Sequence, residues 1–214
     1  MQPKEILVID DATTDNSNAI VRSYQEKHNH IRLISNETNM GVIYTVNRGF
    51  RTATTKFVMS LAADDWILPN FIEKSMLLLE KYPQAGLCST GSFIAIESQN
   101  NCLKLASMPK PSRRPCYLNA NKAAECLLKL DSWFMGNSVI MNREMLLEFG
   151  GYRNELKSFT DNFLYRLLSL KHGCCFIPES LSIWRIRSQS YSQTHCDNIN
   201  QIKNILDTYN NLMT

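Results

Sequence analysis

Two short apolar runs each lead into a pair of adjacent aspartates. Glu5–Ile9 ends in Asp10-Asp11, and Phe57–Leu61 ends, after Ala62-Ala63, in Asp64-Asp65. Side-by-side carboxylates repel and gain nothing from burial unless something cationic meets them. A divalent ion is the usual remedy, and hard oxygen donors select magnesium or manganese. A helix cap accounts for one acid of each pair at most. A third acid, Asp161, falls in the first turn of a predicted helix, where the helix dipole alone would favour it by about 0.3–1 kcal/mol. Farther on, Trp184-Arg185-Ile186-Arg187 follows an apolar run. Read alone, this is an edge strand with solvated arginines; beside a phosphate, guanidinium forks would be well matched donors.

Other candidate ligands carry less chemistry. His28 and His30 sit at a helix end, and His172 and His195 have no partner at metal-binding spacing, so all four read as surface residues. The seven cysteines are odd in number, Cys174 and Cys175 are adjacent, and no CxxC spacing occurs. Neither a disulfide framework nor a zinc site follows from that pattern. Free thiols in a reducing cytoplasm do.

The elements that must hold these residues read as alternating strands and helices. Residues 5–9 form a short β-branched strand. Asp15 can cap a helix with Ile20, Val21 and Tyr24 on one face. Arg32-Leu33-Ile34 is a second strand, and Asn39-Met40-Gly41 a turn. Ile43, Val46, Phe50 and Ala53 follow at helical spacing. Phe57–Leu61 is a third strand. Pro69-Asn70 opens a helix with Ile72, Met76 and Leu79 inward. This rhythm argues for an α/β sheet with parallel strands, whose ligands bind beyond the carboxyl ends of the strands. Both aspartate pairs would then face one crevice. Residues 98–118, with three prolines and Lys104, Lys110, Arg113 and Arg114, read as a long loop. A helix near 121–130, a turn at Trp133–Gly136, a strand from Ser138 to Met141 and a short helix stopped by Gly150-Gly151 come next. Ser158 or Thr160 can cap a helix running from Asp161 to His172. Strands at Cys174–Ile177 and Leu181–Trp184 precede a C-terminal helix with Ile199, Ile202, Leu206, Tyr209 and Met213 on one face.

Composition narrows the class further. At 214 residues, 44% hydrophobic and 20% charged, the chain is globular and fits one domain of ordinary size. A net charge of +3 and a pI near 8.4 are too mild for a dedicated nucleic-acid binder. No apolar run approaches the ~20 residues of a membrane span, and the opening MQPKEILVIDD lacks the parts of a signal peptide.

Taken in order, four segments resemble family 2 glycosyltransferases of the GT-A fold. EILVIDDATTDNS is similar to the strand and turn that hold the nucleotide base. NMGVIYTVNRGFRTATTKFVMSLAADDWILPNFIEK resembles the Asn-Gly turn, helix and DxD-type metal strand end. FGGYRNELKSFTDNFLYRLLSLKHG resembles the Gly-Gly-aromatic loop and the acidic motif of the catalytic base. IPESLSIWRIRSQSYS resembles the segment after it. The likeness spans residues 5–192 and implies a single domain. Its sheet would be mixed and mostly parallel, flanked by helices, with a nucleotide-sugar half at 1–97, an acceptor and base half at 98–192 and a C-terminal helix at 193–214.

By resemblance, Asp10, Asp11, Asn39, Gly41, Asp64, Arg185 and Arg187 would bind the nucleotide-sugar. Asp64 and Asp65 would hold Mn²⁺ or Mg²⁺, and Asp161 would be the general base of an inverting transfer. The donor would be a UDP-sugar or a related nucleotide-diphospho-sugar. The acceptor would be a sugar, lipid-linked or protein hydroxyl, met in the cytoplasm or at a membrane periphery. Trp133, Phe134 and the 98–118 loop would face it, although core packing is the stronger reading of both aromatics. Several positions depart from the family pattern. An SVIIPxYN-like opening strand and helix is absent, which is expected to leave a gap in the core and a half-built nucleotide pocket. Ala62, Val46, Thr160 and Arg187 stand where an acid, an arginine, a glutamate and a histidine are common. Two other readings follow. One is a truncated or non-catalytic relative that binds nucleotide weakly. The other is a signalling receiver domain, with Asp10-Asp11 of ILVIDD, Asp64, Thr90 and Lys110-Pro111 as its acidic pair, phosphoacceptor, switch hydroxyl and Lys-Pro; that reading leaves Asp161 and the second half of the chain without a role.

Overall fold

The computed structural model describes residues 1–97 and 102–187, together with helical positions Asp207, Thr208, Asn211 and Leu212. The face expected for the C-terminal helix, and Cys196, lie outside the described residues. In chain order the elements are β1 (Ile6–Asp10), α1 (Ser17–Gln25), β2 (Ile31–Ser35), α2 (Val42–Thr52), β3 (Phe57–Val58), β4 (Trp66–Ile67), α3 (Phe71–Lys81), β5 (Leu87–Ile96), β6 (Cys102–Leu105), β7 (Cys116–Leu118), α4 (Ala120–Leu130), β8 (Val139–Asn142), α5 (Arg143–Glu148), α6 (Thr160–His172) and β9 (Cys174–Ile186). Short 3-10 segments cover Gly136–Ser138 and Asn154–Phe159.

The strands build two sheets. β1 and β2 pair in parallel. The larger sheet runs β3-β8-β5-β9-β4, with β6 added to β5 and β7 to β9. It is mixed, as expected, but not mostly parallel: within it only β5 and β9 run together, and the other pairs are antiparallel. One reason is local. The connection from β5 to β6 is too short for a crossover, so the chain must fold back as a hairpin. The 98–118 segment therefore contains β6 and β7 and is not one loop.

Strict alternation along the central strands divides the core between two faces. Leu87, Val139, Met141, Cys174 and Phe176 join Trp133, Phe134, Tyr165 and Leu168 on one face, under α4, α5 and α6. Cys88, Ile140, Cys175 and Ile177 join Phe71 and Leu79 of α3 on the other. Trp133 and Phe134 thus pack in the core. Cys88, Cys102, Cys116, Cys126, Cys174 and Cys175 are all free.

β9 is one strand where two were expected. Its pairing with β5 shifts register on both sides of Gly91, so Pro178, Glu179 and Leu181 have no opposite residue. Proline lacks the ladder donor and belongs at such a bulge. A Cβ on Gly91 would come within 2.9 Å of the Ser180 hydroxyl, so the backbones meet here only because residue 91 has no side chain. The bulge re-aims the half of β9 that carries Arg185.

α2 joins the two sheets. Gly49 lies against Ile9 of β1, while Phe50 and Val46 enter the main core. Arg143 caps its C-terminus, donating from Nε to Phe50 O (2.7 Å) and from Nη2 to Arg51 O (2.9 Å). β1 reads as an interior strand, yet Ile6, Leu7, Val8 and Ile9 are all at least partly exposed, and β1 and β3 belong to separate sheets. α1 buries no residue; Ile20 and Tyr24 are 57% and 54% exposed. Its apolar face does not pack inward as expected, because the two-stranded sheet beneath it is too narrow to cover it.

Asn47 fixes α2 to the Gly150-Gly151 turn. Its amide donates to Tyr152 O (2.7 Å) and its oxygen accepts from Tyr152 N (2.8 Å). Asn47→Ala leaves both backbone groups unpaired and should lower unfolding free energy by ~2 kcal/mol in urea titrations. A loss below ~0.5 kcal/mol would show that this clamp does not hold the helix.

Candidate functional site

The structure brings together Asp64, Asp65, Arg185 and Arg187. β4 pairs with β9 through Trp66 and Ile183, which sets Asp65 beside the bulged half of β9. Asp65 Oδ1 accepts the Arg185 backbone N–H at 2.9 Å. Arg187 Nε lies 3.2 Å from Asp64 Oδ2. The Arg185 guanidinium donates to Glu97 (2.9 Å) and stands 5.9 Å from the centre of the Trp66 ring. Burial, and then the like charge of Asp64, push the Asp65 carboxyl up to about 6 against the Arg185 N–H. A site that holds two carboxylates and resists ionising one of them suits a cation. Their hard oxygens fit Mg²⁺ or Mn²⁺. Among the described residues no three His, Cys, Asp or Glu side chains gather closely enough to hold a metal ion, so such an ion would take further oxygens from its ligand.

Asp161 opens α6. Neither residue expected to cap this helix does so. Thr160 Oγ1 instead accepts from Arg153 N (2.6 Å), and the buried Ser158 hydroxyl has no partner. Asp161 Oδ1 takes the N–H of Asn162 at 2.6 Å, and the other oxygen rests against Gly136. Burial raises the carboxyl to about 6, with the Asn162 N–H working against it. One link brings Asp161 to the side of the molecule where Asp64 and Asp65 lie: the 3-10 segment bearing Gly136 packs against β4, next to Asp65. The Tyr152 hydroxyl, which feels the charge of Asp161, lies 3.1 Å from that of Tyr165.

Asp10 and Asp11 behave otherwise. Asp10 accepts from Thr13 N (3.0 Å) and Asn18 Nδ2 (2.9 Å). The Asn18 bond leads in holding its carboxyl below the usual range. Asp11 accepts from Asn36 Nδ2 (2.7 Å), Met40 N (2.8 Å) and Gly41 N (2.9 Å). Burial works upward on Asp11, but these donors outweigh it. Each acid of the first pair is thus met by hydrogen-bond donors, Asp10 from Thr13 and Asn18 just after it and Asp11 from the segment between Asn36 and Gly41. Asn39 accepts from Gly41 N at 3.2 Å, and Gly41, at φ +84°, begins α2. A cleft of about 570 Å³ runs from this turn along α2 to Tyr152, Asn154 and Lys157, with Tyr44, Asn47 and Arg51 on its wall.

Sequence reasoning missed Trp66, Glu97, Gly136, Tyr152 and Tyr165. Only Tyr152, inside the Gly-Gly-aromatic segment, carried a signal.

Residues 1–126 match the model of the family described as Glycosyl transferase family 2. The chain is 26% identical over 195 residues to an uncharacterized glycosyltransferase of Haemophilus influenzae, covering 89% of this chain and 59% of that protein. Over 74 residues it is 39% identical to the uncharacterized glycosyltransferase YibD of Escherichia coli, covering 35% of this chain and 21% of that one. Among solved structures, S. aureus TarS in complex with UDP-GlcNAc superposes with a TM-score of 0.71 at 16% identity, over 97% of this chain and 58% of that one. The mannosyltransferase PcManGT from Pyrobaculum calidifontis, in complex with GDP-Man and Mn²⁺, gives 0.67 at 17% identity, over 96% and 55%. These likenesses show the fold, which is GT-A. The chain thus spans about three fifths of the Haemophilus relative and of both solved chains. Among the described residues no helix is long and apolar enough to cross a membrane.

The raised Asp161 carboxyl has a consequence for stability. In the unfolded chain it ionises near the ordinary value of 3.8, in the folded chain near 6. The folded state binds the extra proton between these values, so stability falls as pH rises from about 4 through about 6. Asp161→Asn removes that loss. It should raise unfolding free energy by about 3 kcal/mol at pH 7.5 and by only about 1 kcal/mol at pH 4.5, read by urea denaturation at both. Equal changes at the two pH values would contradict a buried, reluctant carboxylate.

Proposed function

The chain belongs to glycosyl transferase family 2, and from that premise we propose that it transfers a sugar from a nucleotide-diphospho-sugar to an acceptor hydroxyl, inverting the anomeric carbon. One observation carries this reading: Asp64 and Asp65 meet Arg185 and Arg187 at the end of β9, and Asp161 lies against Gly136, whose segment packs on β4 beside them. The nucleotide-sugars bound by TarS and PcManGT support a donor of this class, with a UDP-sugar the first to try.

Asp64 and Asp65 would hold Mn²⁺ or Mg²⁺, which when bound supplies Lewis-acid charge at the diphosphate. Arg187 and Arg185 exchange their carboxylate partners for phosphate oxygens as the donor enters. The Asn39–Gly41 turn, braced by Asp11, forms the nucleoside end of the site, with Asp10 behind it. The acceptor approaches by the cleft beside Tyr152. Asp161, ionised above pH about 6, takes the hydroxyl proton as the acceptor oxygen bonds to the anomeric carbon. The bond from that carbon to the diphosphate oxygen breaks, and the nucleoside diphosphate leaves with the electron pair. A single base on the face opposite the leaving group yields inversion. The free cysteines suit a reducing compartment such as the cytoplasm.

A second reading, binding without turnover, is favoured by the separation of β1 from β3. One experiment decides between the two. The protein is given UDP-, GDP- and dTDP-sugars with Mn²⁺, and thermal shift and nucleoside-diphosphate release are followed. Transfer predicts release that falls about 10²- to 10⁴-fold in Asp161→Asn with donor binding kept, and lost metal-dependent binding in Asp65→Ala. A thermal shift without release supports the second reading. Turnover unchanged in both variants would overturn the assignment of roles.

A further inference from the structure

Gly136 has no backbone reason to be glycine. It is absent from the glycines with positive φ, which are Gly41, Gly150, Gly151 and Gly173. What a side chain would meet there is Asp161. A Cβ on residue 136 would stand 2.7 Å from Asp161 Oδ2, and, its own turn aside, the next atom it would meet among the described residues is Cγ of the same carboxyl, at 3.9 Å. Such a distance is closer than carbon and oxygen tolerate without movement. The missing side chain is therefore space reserved for one carboxylate.

The turn that offers this space is held from several directions. Ser138 donates to Met135 O through both its N–H and its hydroxyl, each at 2.9 Å. Trp133 and Phe134, just upstream, are 1% and 4% exposed, and the Phe134 ring meets the Tyr165 ring at 5.7 Å. The Tyr165 hydroxyl reaches Gly136 O at 3.3 Å and lies 3.1 Å from the Tyr152 hydroxyl. The Tyr152 and Tyr165 hydroxyls thus meet at the peptide against which Asp161 rests, and the 3-10 segment bearing Gly136 packs on β4, next to Asp65.

We propose that Gly136 is a positioning residue for Asp161: its bare Cα fixes where the carboxylate stands, while the Tyr152–Tyr165 hydroxyl pair and the packing of the turn on β4 keep it in register with the segment carrying Asp64 and Asp65. This rests on the reading of Asp161 as the base. If a methyl group is added at residue 136, the pinned turn stays and the carboxylate moves. A displacement on the scale of 1 Å is enough to cost a reaction step about 10²-fold.

The groups facing Asp161 are few. Tyr152 and Tyr165 are the titratable side chains with which its charge interacts. On its flanks, Arg153 pairs with Glu155 and Arg166 with Asp131. A shift in Asp161 titration after a change at residue 136 therefore reports the new position of the carboxyl.

The test uses the whole chain with ¹³C-labelled aspartate. Its Asp161 carboxyl signal is identified by its loss in Asp161→Asn, and nucleoside-diphosphate release is measured in parallel. Gly136→Ala should move the Asp161 titration midpoint by at least about half a unit. It should lower kcat about 10- to 100-fold and leave donor KM within about twofold. Tyr165→Phe should change the same quantities in the same direction, by less. An unchanged midpoint or an unchanged kcat in Gly136→Ala overturns the proposal, whatever happens to thermal stability. Should Gly136→Ala fail to fold, Tyr165→Phe decides by the same two readings. If Asp161→Asn turns over normally, the base assignment falls instead, and the midpoint alone judges the position of the carboxylate.

Discussion

The parallel pairing of β5 with β9 is the constraint on which the site depends. Both strands are buried where they first meet, and their alternating side chains feed two separate cores. That burial fixes the register firmly, because a slip of one residue would send every inward side chain to the wrong face. The register then breaks at Gly91 and Pro178, and the break turns the far half of β9 toward β4. Arg185 and Arg187 reach the aspartates because of this interruption.

Charge is distributed within the site by the same geometry. Asp64 has a guanidinium for a neighbour, Asp65 a backbone N–H, and Asp161 a single backbone N–H at a half-buried position. Burial raises Asp65 and Asp161 to about 6, and the single N–H on each is too little to reverse it. Asp10 and Asp11, equally acidic in sequence, have enough donors to stay below the ordinary range. Residue type is the same in every case. The supply of N–H groups differs, and it separates acids that brace loops from acids left available for chemistry.

Helices with a strong apolar period were legible before any coordinates. α2 and α3 fall where Ile43, Phe50, Met76 and Leu79 place them, and α5 stops at Gly150-Gly151. Motif order likewise singled out Asp64, Asp65, Asp161 and the two arginines, and the fold brings the first two acids and the arginines together. What could not be read was pairing. β5 begins Leu-Cys-Ser-Thr-Gly-Ser, small and partly polar residues without strand character of their own, and it is a strand because β8 and β9 lie on either side. β3 was expected to reach Leu61 but pairs only at Phe57 and Val58. Two strands were expected at Cys174–Ile177 and Leu181–Trp184, whereas one ladder runs through both with a bulge at Pro178. Gly136 and Tyr165 gave no signal, because their meaning is a distance between segments far apart in the chain.

The joint made by α2 divides the molecule energetically. On one side lies a core of fully enclosed aromatic and aliphatic side chains. On the other, β1, α1 and β2 contribute only Asp10 to the buried residues and meet the rest of the fold chiefly through α2. Amide protons in this outer unit should exchange through sub-global openings that leave β5 and β9 protected. A ligand that grips both the Asn39–Gly41 turn and the end of β9 would clamp the outer unit to the inner one, so its affinity would include the work of closing that seam.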